Sequence, residues 1–137
     1  MISDSLVLVS SCLTGLCTRY DGQCKPSPAC MQHLSGRVWI PVCPEQLGGL
    51  ATPRAPAEII GGDGGDVLAG SARVVDEEGN DVTTAFIEGA GWCLHIARQQ
   101  NIGLALLKAG SPSCGLSPVP GVTAALLQQN GIKVREV

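Results

Sequence analysis

The segment Leu6-Val7-Leu8-Val9 is a short unbroken apolar run closed by Ser10 and Ser11, the pattern of a strand covered on both faces. Val38-Trp39-Ile40-Pro41-Val42 and Ile102-Gly103-Leu104-Ala105-Leu106-Leu107 repeat it, and Ile132-Lys133-Val134 predicts a last short strand. Between these runs the period changes. Pro26 or Pro28 opens a short helix through Leu34, closed by Gly36. Phe86, Ala90, Cys93, Leu94 and Ala97 recur at helical spacing behind a cap at Thr83 or Thr84, and Asn101 ends that helix. Val122 to Gln129 forms another, stopped by Asn130-Gly131. Residues 43–66 are rich in Gly and Pro and predict a long surface or functional loop. Val67-Leu68 and Ala72-Arg73-Val74-Val75 predict a small β-hairpin leading to the acidic turn Asp76 to Asn80.

Strands alternating with helices predict an α/β fold. The expectation is a single compact domain over residues 1–137, with a mainly parallel β-sheet flanked by helices in a Rossmann-like three-layer arrangement. With 137 residues, 45% of them hydrophobic, the chain is large enough for one real core. Sheets of this kind bind ligands beyond the carboxyl ends of their strands. Cys12, Cys43 and Cys114 each fall just past a predicted strand, so one topological rule brings together residues far apart in sequence.

Charge narrows the classes of partner. Nine Lys and Arg stand against twelve Asp and Glu, a formal charge of -3, and aromatic residues are 3% of the chain. There is neither a basic field nor a stacking platform for nucleic acid. The apolar run near the start is too short for a secretory signal or a membrane span, and the expected location is the cytoplasm. In that reducing compartment seven cysteines argue for metal ligation or thiol chemistry over a disulfide framework. Oligomeric state leaves no mark in the pattern.

Soft thiolates suit an iron–sulfur cluster, and three of them leave one iron open to act as a Lewis acid. Cys12, Cys43 and Cys114 can be such ligands, buried structural residues or nucleophiles. Cys17 can add a fourth ligand, although its loop can equally hold it near the site without contact. Cys24 and Cys30 belong in or beside a surface element, and Cys93 lies on the apolar helix stripe. Cys43-Pro44-Glu45 places a carboxylate two positions past a candidate ligand, suited to a base or proton shuttle, with Arg54 and Arg19 as possible partners. Ser111-Pro112-Ser113-Cys114-Gly115 offers two hydroxyls and backbone N–H groups. Tyr20-Asp21-Gly22 is either a ligand lip or an Asx turn. His33 and His95 take structural or surface roles. Gly61-Gly62-Asp63-Gly64-Gly65 lacks the context of a dinucleotide site and reads as flexibility.

Taken together, Ser11-Cys12-Leu13 with Arg19-Tyr20-Asp21-Gly22, Pro41-Val42-Cys43-Pro44-Glu45 with Gly48-Gly49-Leu50 and Pro53-Arg54, Asp81-Val82-Thr83, and Ser111-Pro112-Ser113-Cys114-Gly115 resemble the DUF523 family, which includes the thiouracil desulfurases. The resemblance covers essentially the whole chain. It implies an enzyme with a [4Fe-4S] cluster held by Cys12, Cys43 and Cys114, with Glu45 and Ser111 as the catalytic polar pair. Its substrate would be a small thiolated pyrimidine base or nucleotide, such as 2- or 4-thiouracil or 4-thiouridine monophosphate. The products would be uracil or UMP and hydrogen sulfide, formed without net redox change. The alternatives are a structural zinc or iron–sulfur binding module and a metal-free thiol enzyme. The chain departs from the family in the short segment Leu116 to Pro120, which implies either a more open pocket or a lid outside this sequence.

Overall fold

A computed structural model describes residues 3–137 of the chain. Four parallel strands form the main sheet: β1 (Ser3–Ser10), β2 (Val38–Val42), β5 (Ile102–Leu107) and β6 (Lys133–Glu136), in the order β2-β1-β5-β6. β1 and β5 are the inner pair, which is why their sequences are continuous apolar runs. All six residues of β5 are buried, as are Val7, Leu8 and Val9 of β1.

Successive side chains of these strands feed two separate cores. Leu8, Ala105 and Leu107 pack against helices α4 (Thr83–Gln99) and α5 (Val122–Gln129), through Cys93, Leu94, Ala97, Ala124 and Leu127. Val7, Val9, Leu104 and Leu106 face the other way, onto Leu13, Cys30 and Leu34 under helix α1 (Pro28–Leu34). The result is the expected three-layer, Rossmann-like arrangement. Its handedness follows from the strand order: the chain moves one way from β1 to β2 and the other way to β5 and β6. Right-handed crossovers therefore put α1 on one face and α4 and α5 on the opposite one.

The middle of the chain is more ordered than its glycines and prolines predict. Pro44–Leu47 forms a one-turn helix, α2, and β3 (Ala57–Ile60) pairs antiparallel with β4 (Arg73–Asp76). The expected hairpin of Val67-Leu68 with Ala72 to Val75 is not formed. Val67 and Leu68 belong instead to helix α3 (Gly64–Ala69), and the strand that pairs with β4 lies upstream. Asp63 in the glycine cluster caps α3 through its side chain, which accepts from the Asp66 N–H, while Asp66 accepts in return from the Asp63 N–H. The cluster thus starts a helix. Thr83 does not cap α4 either: its hydroxyl oxygen accepts from the Val74 N–H at 2.9 Å and ties the helix start to the hairpin.

Helix α2 sits directly on α4 because of two glycines. A methyl group at Gly89 would fall on the carbonyl oxygen of Pro44, and one at Gly48 on that of Ala85. Gly91, two residues along α4, faces open space. Gly89→Ala is therefore expected to destabilise the protein by about 1–3 kcal/mol through overpacking, whereas Gly91→Ala gains up to about 1 kcal/mol from helix propensity. Urea midpoints of the two variants should move in opposite directions.

Candidate active site

Because β1 is paired on both sides by strands reached in opposite directions, the chain segments leaving β1 and β5 part and open a crevice at their carboxyl ends. A cavity of about 330 Å³ lies there. Ser10, Ser11 and Cys12 enter it from the end of β1, Val42 to Glu45 from β2, and Lys108 to Cys114 from β5. All of Cys12, Cys43, Cys114, Glu45 and Ser111 line it.

Cys12 lies in the 3-10 turn Ser11–Thr14 that follows β1 at once. The loop beyond it folds back over the cavity, held by a 2.6 Å hydrogen bond between the Ser11 and Thr18 hydroxyls and by the Ser27 N–H donating to the Leu13 carbonyl. Thr18, Arg19 and Tyr20 thereby become part of the lining. The Tyr20-Asp21-Gly22 turn is an Asx turn, in which Asp21 accepts from the Gln23 N–H, and Tyr20 lines the cavity.

Arg54 ties this lip to the floor. Its Nε donates to Glu45 Oε1 at 2.9 Å, its Nη2 to the Thr18 carbonyl at 2.9 Å and, at 3.8 Å, to Cys43 Sγ. Its backbone N–H donates to the Tyr20 carbonyl. Arg54 and Glu45 are 9% and 14% exposed, so this is a shielded pair whose rupture would strand a buried charge. Of the two arginines expected near Glu45, Arg54 is the partner, and Arg19 pairs with Asp21.

The loop carrying Ser111, Ser113 and Cys114 is bound to the start of α5. The Val122 N–H donates to the Pro112 carbonyl, and those of Thr123 and Ala124 to the Ser113 carbonyl. Helix N–H groups that would otherwise lack partners thus hold the loop in place. The approach is so close that a methyl group at Gly121 would overlap the Pro112 and Ser113 backbone. Ser111 Oγ accepts from the N–H groups of Ser113 and Cys114, both at 3.2 Å. The short segment after Cys114 is also stapled: Gly121 donates to the Gly115 carbonyl, and the Leu116 and Ser117 N–H groups donate to the Glu136 carboxylate.

Ser113, which drew less weight from the sequence than Ser111, is the serine that meets Glu45. Its hydroxyl donates to Glu45 Oε2 at 3.1 Å and lies 2.9 Å from Ser111 Oγ. Lys108 was also missed. It lines the cavity with Arg19. Its place directly after β5 was the available signal.

The other cysteines stay out. Cys17 and Cys24 form a disulfide in the exposed part of the lip, against the expectation of reduced thiols, and neither lines the cavity. Cys93 is buried in the α4 core as its stripe predicts. Cys30, expected near the surface, is fully buried on the sheet-facing side of α1. His33 and His95 are exposed. Among the described residues, no three Cys, His, Asp or Glu side chains gather closely enough to hold a metal ion as they stand, and no helix is long and apolar enough to cross a membrane.

Burial governs the thiols. Desolvation pushes the Cys114 thiol up to about 12, against weaker lowering by hydrogen bonds from Ser10 and Ser113, and the Glu45 carboxylate adds to the rise. Cys12 is raised by burial and by Cys43, with Lys108 and Arg19 pulling the other way. Loading any metal centre on these thiols must therefore release protons.

The chain matches the 2-thiouracil desulfurase family over residues 7–136. A protein of Bacillus subtilis (strain 168), the uncharacterized YbbK, is 43% identical over 141 residues, covering 94% of this chain and 93% of that one. The solved structure of a [4Fe-4S]-dependent thiouracil desulfidase, TudS (DUF523Vcz), superposes with a TM-score of 0.75 at 40% identity, over 95% of this chain and 89% of the other.

A thiol held protonated by the fold contributes stability fully below its unfolded pKa of about 8.5. That contribution is lost as the pH rises toward the folded value. The metal-free protein should accordingly lose stability between roughly pH 8 and pH 10, and Cys114→Ala should lose less of it. Urea midpoints at the two pH values check this; equal losses in both proteins would remove Cys114 from the titrating groups.

Proposed function

This chain belongs to the 2-thiouracil desulfurase family, and from that premise we infer that it is a non-redox desulfurase that hydrolyses a thiolated uracil to uracil, or the corresponding nucleotide to UMP, releasing hydrogen sulfide. The observation that carries the reading is the convergence of Cys12, Cys43 and Cys114 with Glu45 and Ser111 on one cavity.

The donor set fits a [4Fe-4S] cluster. Three soft thiols line one space, and no histidine lines it. A cuboidal cluster carries irons and sulfides between its ligands, so it requires thiols around one cavity, without the mutual contact demanded by a single tetrahedral ion. The zinc alternative thus lacks a ready ligand set among the described residues. Cys17 is tied to Cys24 and lies outside the lining, which supports three ligands over four. When bound through Cys12, Cys43 and Cys114, the cluster would supply one open iron as a Lewis acid for the soft thiocarbonyl sulfur.

The chain's own residues would do the rest. Glu45, oriented by Arg54 on one oxygen and Ser113 on the other, takes a proton from the water that attacks the ring carbon. Ser111 at the loop tip hydrogen-bonds the pyrimidine. Arg19 and Lys108 supply positive charge around an anionic site.

Anaerobic reconstitution should yield a brown protein with about four irons per chain that converts a 4-thiouracil compound to its uracil counterpart with release of sulfide. Glu45→Gln should retain the iron and lose about 10²- to 10⁴-fold in kcat. Undiminished activity in an iron-free protein would overturn this reading.

A further inference from the structure

Three polar side chains form a continuous hydrogen-bonded line along the cavity wall: Glu45, Ser113 and Ser111. The direction of its protons follows from the partners. Ser113 has one hydroxyl proton and three acceptors in reach, Ser111 Oγ at 2.9 Å, Glu45 Oε2 at 3.1 Å and Cys114 Sγ at 3.7 Å. The carboxylate oxygen is the strongest acceptor of the three, so the proton goes there. Ser111 Oγ already accepts two backbone N–H bonds, so its own proton points to Ser113 Oγ. Ser113, in the middle of the line, is 1% exposed.

We propose that Ser113 is a positioning residue that relays protons between Glu45 and Ser111 during desulfurization. The inference rests on the desulfurase reading and extends it to a residue with no assigned role. Water's oxygen bonds to the ring carbon as one of its protons moves to Glu45. Once protonated, Glu45 becomes the donor to Ser113 Oγ and both serine hydroxyls turn over, Ser113 O–H to Ser111 Oγ and Ser111 O–H to the substrate sulfur; one proton then passes along each of these bonds. Each hydroxyl ends with one proton. The C–S bond then breaks with its electron pair on sulfur. The proton of the newly added hydroxyl follows, which leaves a carbonyl and hydrogen sulfide. Nothing is oxidised or reduced.

Such a relay explains why two serines flank Pro112. Ser111 has no direct hydrogen bond to Glu45 among those of the described residues; Ser113 spans that gap. The same hydroxyl fixes Glu45 Oε2, leaving the carboxylate anchored at both oxygens.

The test compares wild type, Ser113→Ala and Ser113→Thr, the last retaining Oγ. In the metal-free proteins, the Glu45 carboxylate stretch, assigned by its disappearance in Glu45→Gln, should shift in Ser113→Ala and return toward wild type in Ser113→Thr. In the reconstituted enzymes, Ser113→Ala should keep its iron content, visible spectrum and KM. Its kcat should fall by about 10²-fold, the low end for positioned proton transfer, and its solvent deuterium proton inventory should change from curved to linear. An unchanged carboxylate stretch, or an unchanged kcat and inventory in an active series, overturns the relay alone. A wild-type cluster protein with no desulfurase activity overturns the underlying reading, and the relay with it.

Discussion

The pairing of β1 on both edges, with β2 on one side and β5 on the other, is the constraint on which the rest depends. A parallel strand flanked by neighbours reached in opposite directions must shed its following loops to opposite sides. The gap this leaves is the only feature that Cys12, Cys43 and Cys114 need in common. Both faces of β1 and β5 are buried in separate cores, so a shift of register would expose a full row of apolar side chains. The site is as rigid as the sheet beneath it.

Rigidity at the carboxyl ends of the strands is supplied by different physics in each loop. The β2 loop is set by close backbone contact, with α2 seated on the glycines of α4. The β5 loop is set by hydrogen bonding to the start of α5. The lip beyond Cys12 has neither, and depends on Arg54, whose guanidinium and backbone hold Thr18, Tyr20 and Glu45 at once. Buried thiols and a shielded ion pair oppose folding in the absence of a ligand. The two apolar cores and the β3–β4 unit carry that cost.

Much of the fold was legible. β2, β5 and α5 lie where their apolar runs end, since strands buried on both faces and amphipathic helices write their periods directly into the sequence. The failures share a cause. Val67 and Leu68 are two apolar residues in a row, too few to carry a period, and the capping pair Asp63 and Asp66 decided for helix. Cys30 looked peripheral because α1 is mostly exposed, yet it faces the sheet. Cys17 and Cys24 are joined by loop geometry that no spacing rule specifies.

The candidate site divides in the same way. By itself the sequence determined that Cys12, Cys43 and Cys114 follow parallel strands, and hence that they line one cavity, because strand direction and alternation with helices are local properties. It also determined that Glu45 lies within reach of them, two residues past Cys43. Which groups touch was decided by tertiary structure alone. Arg54 reaches Glu45 through the loop that follows α2, and Ser113 is carried to the carboxylate by its loop's bonds to α5. Such contacts depend on distances between elements, which packing sets and a linear pattern does not encode.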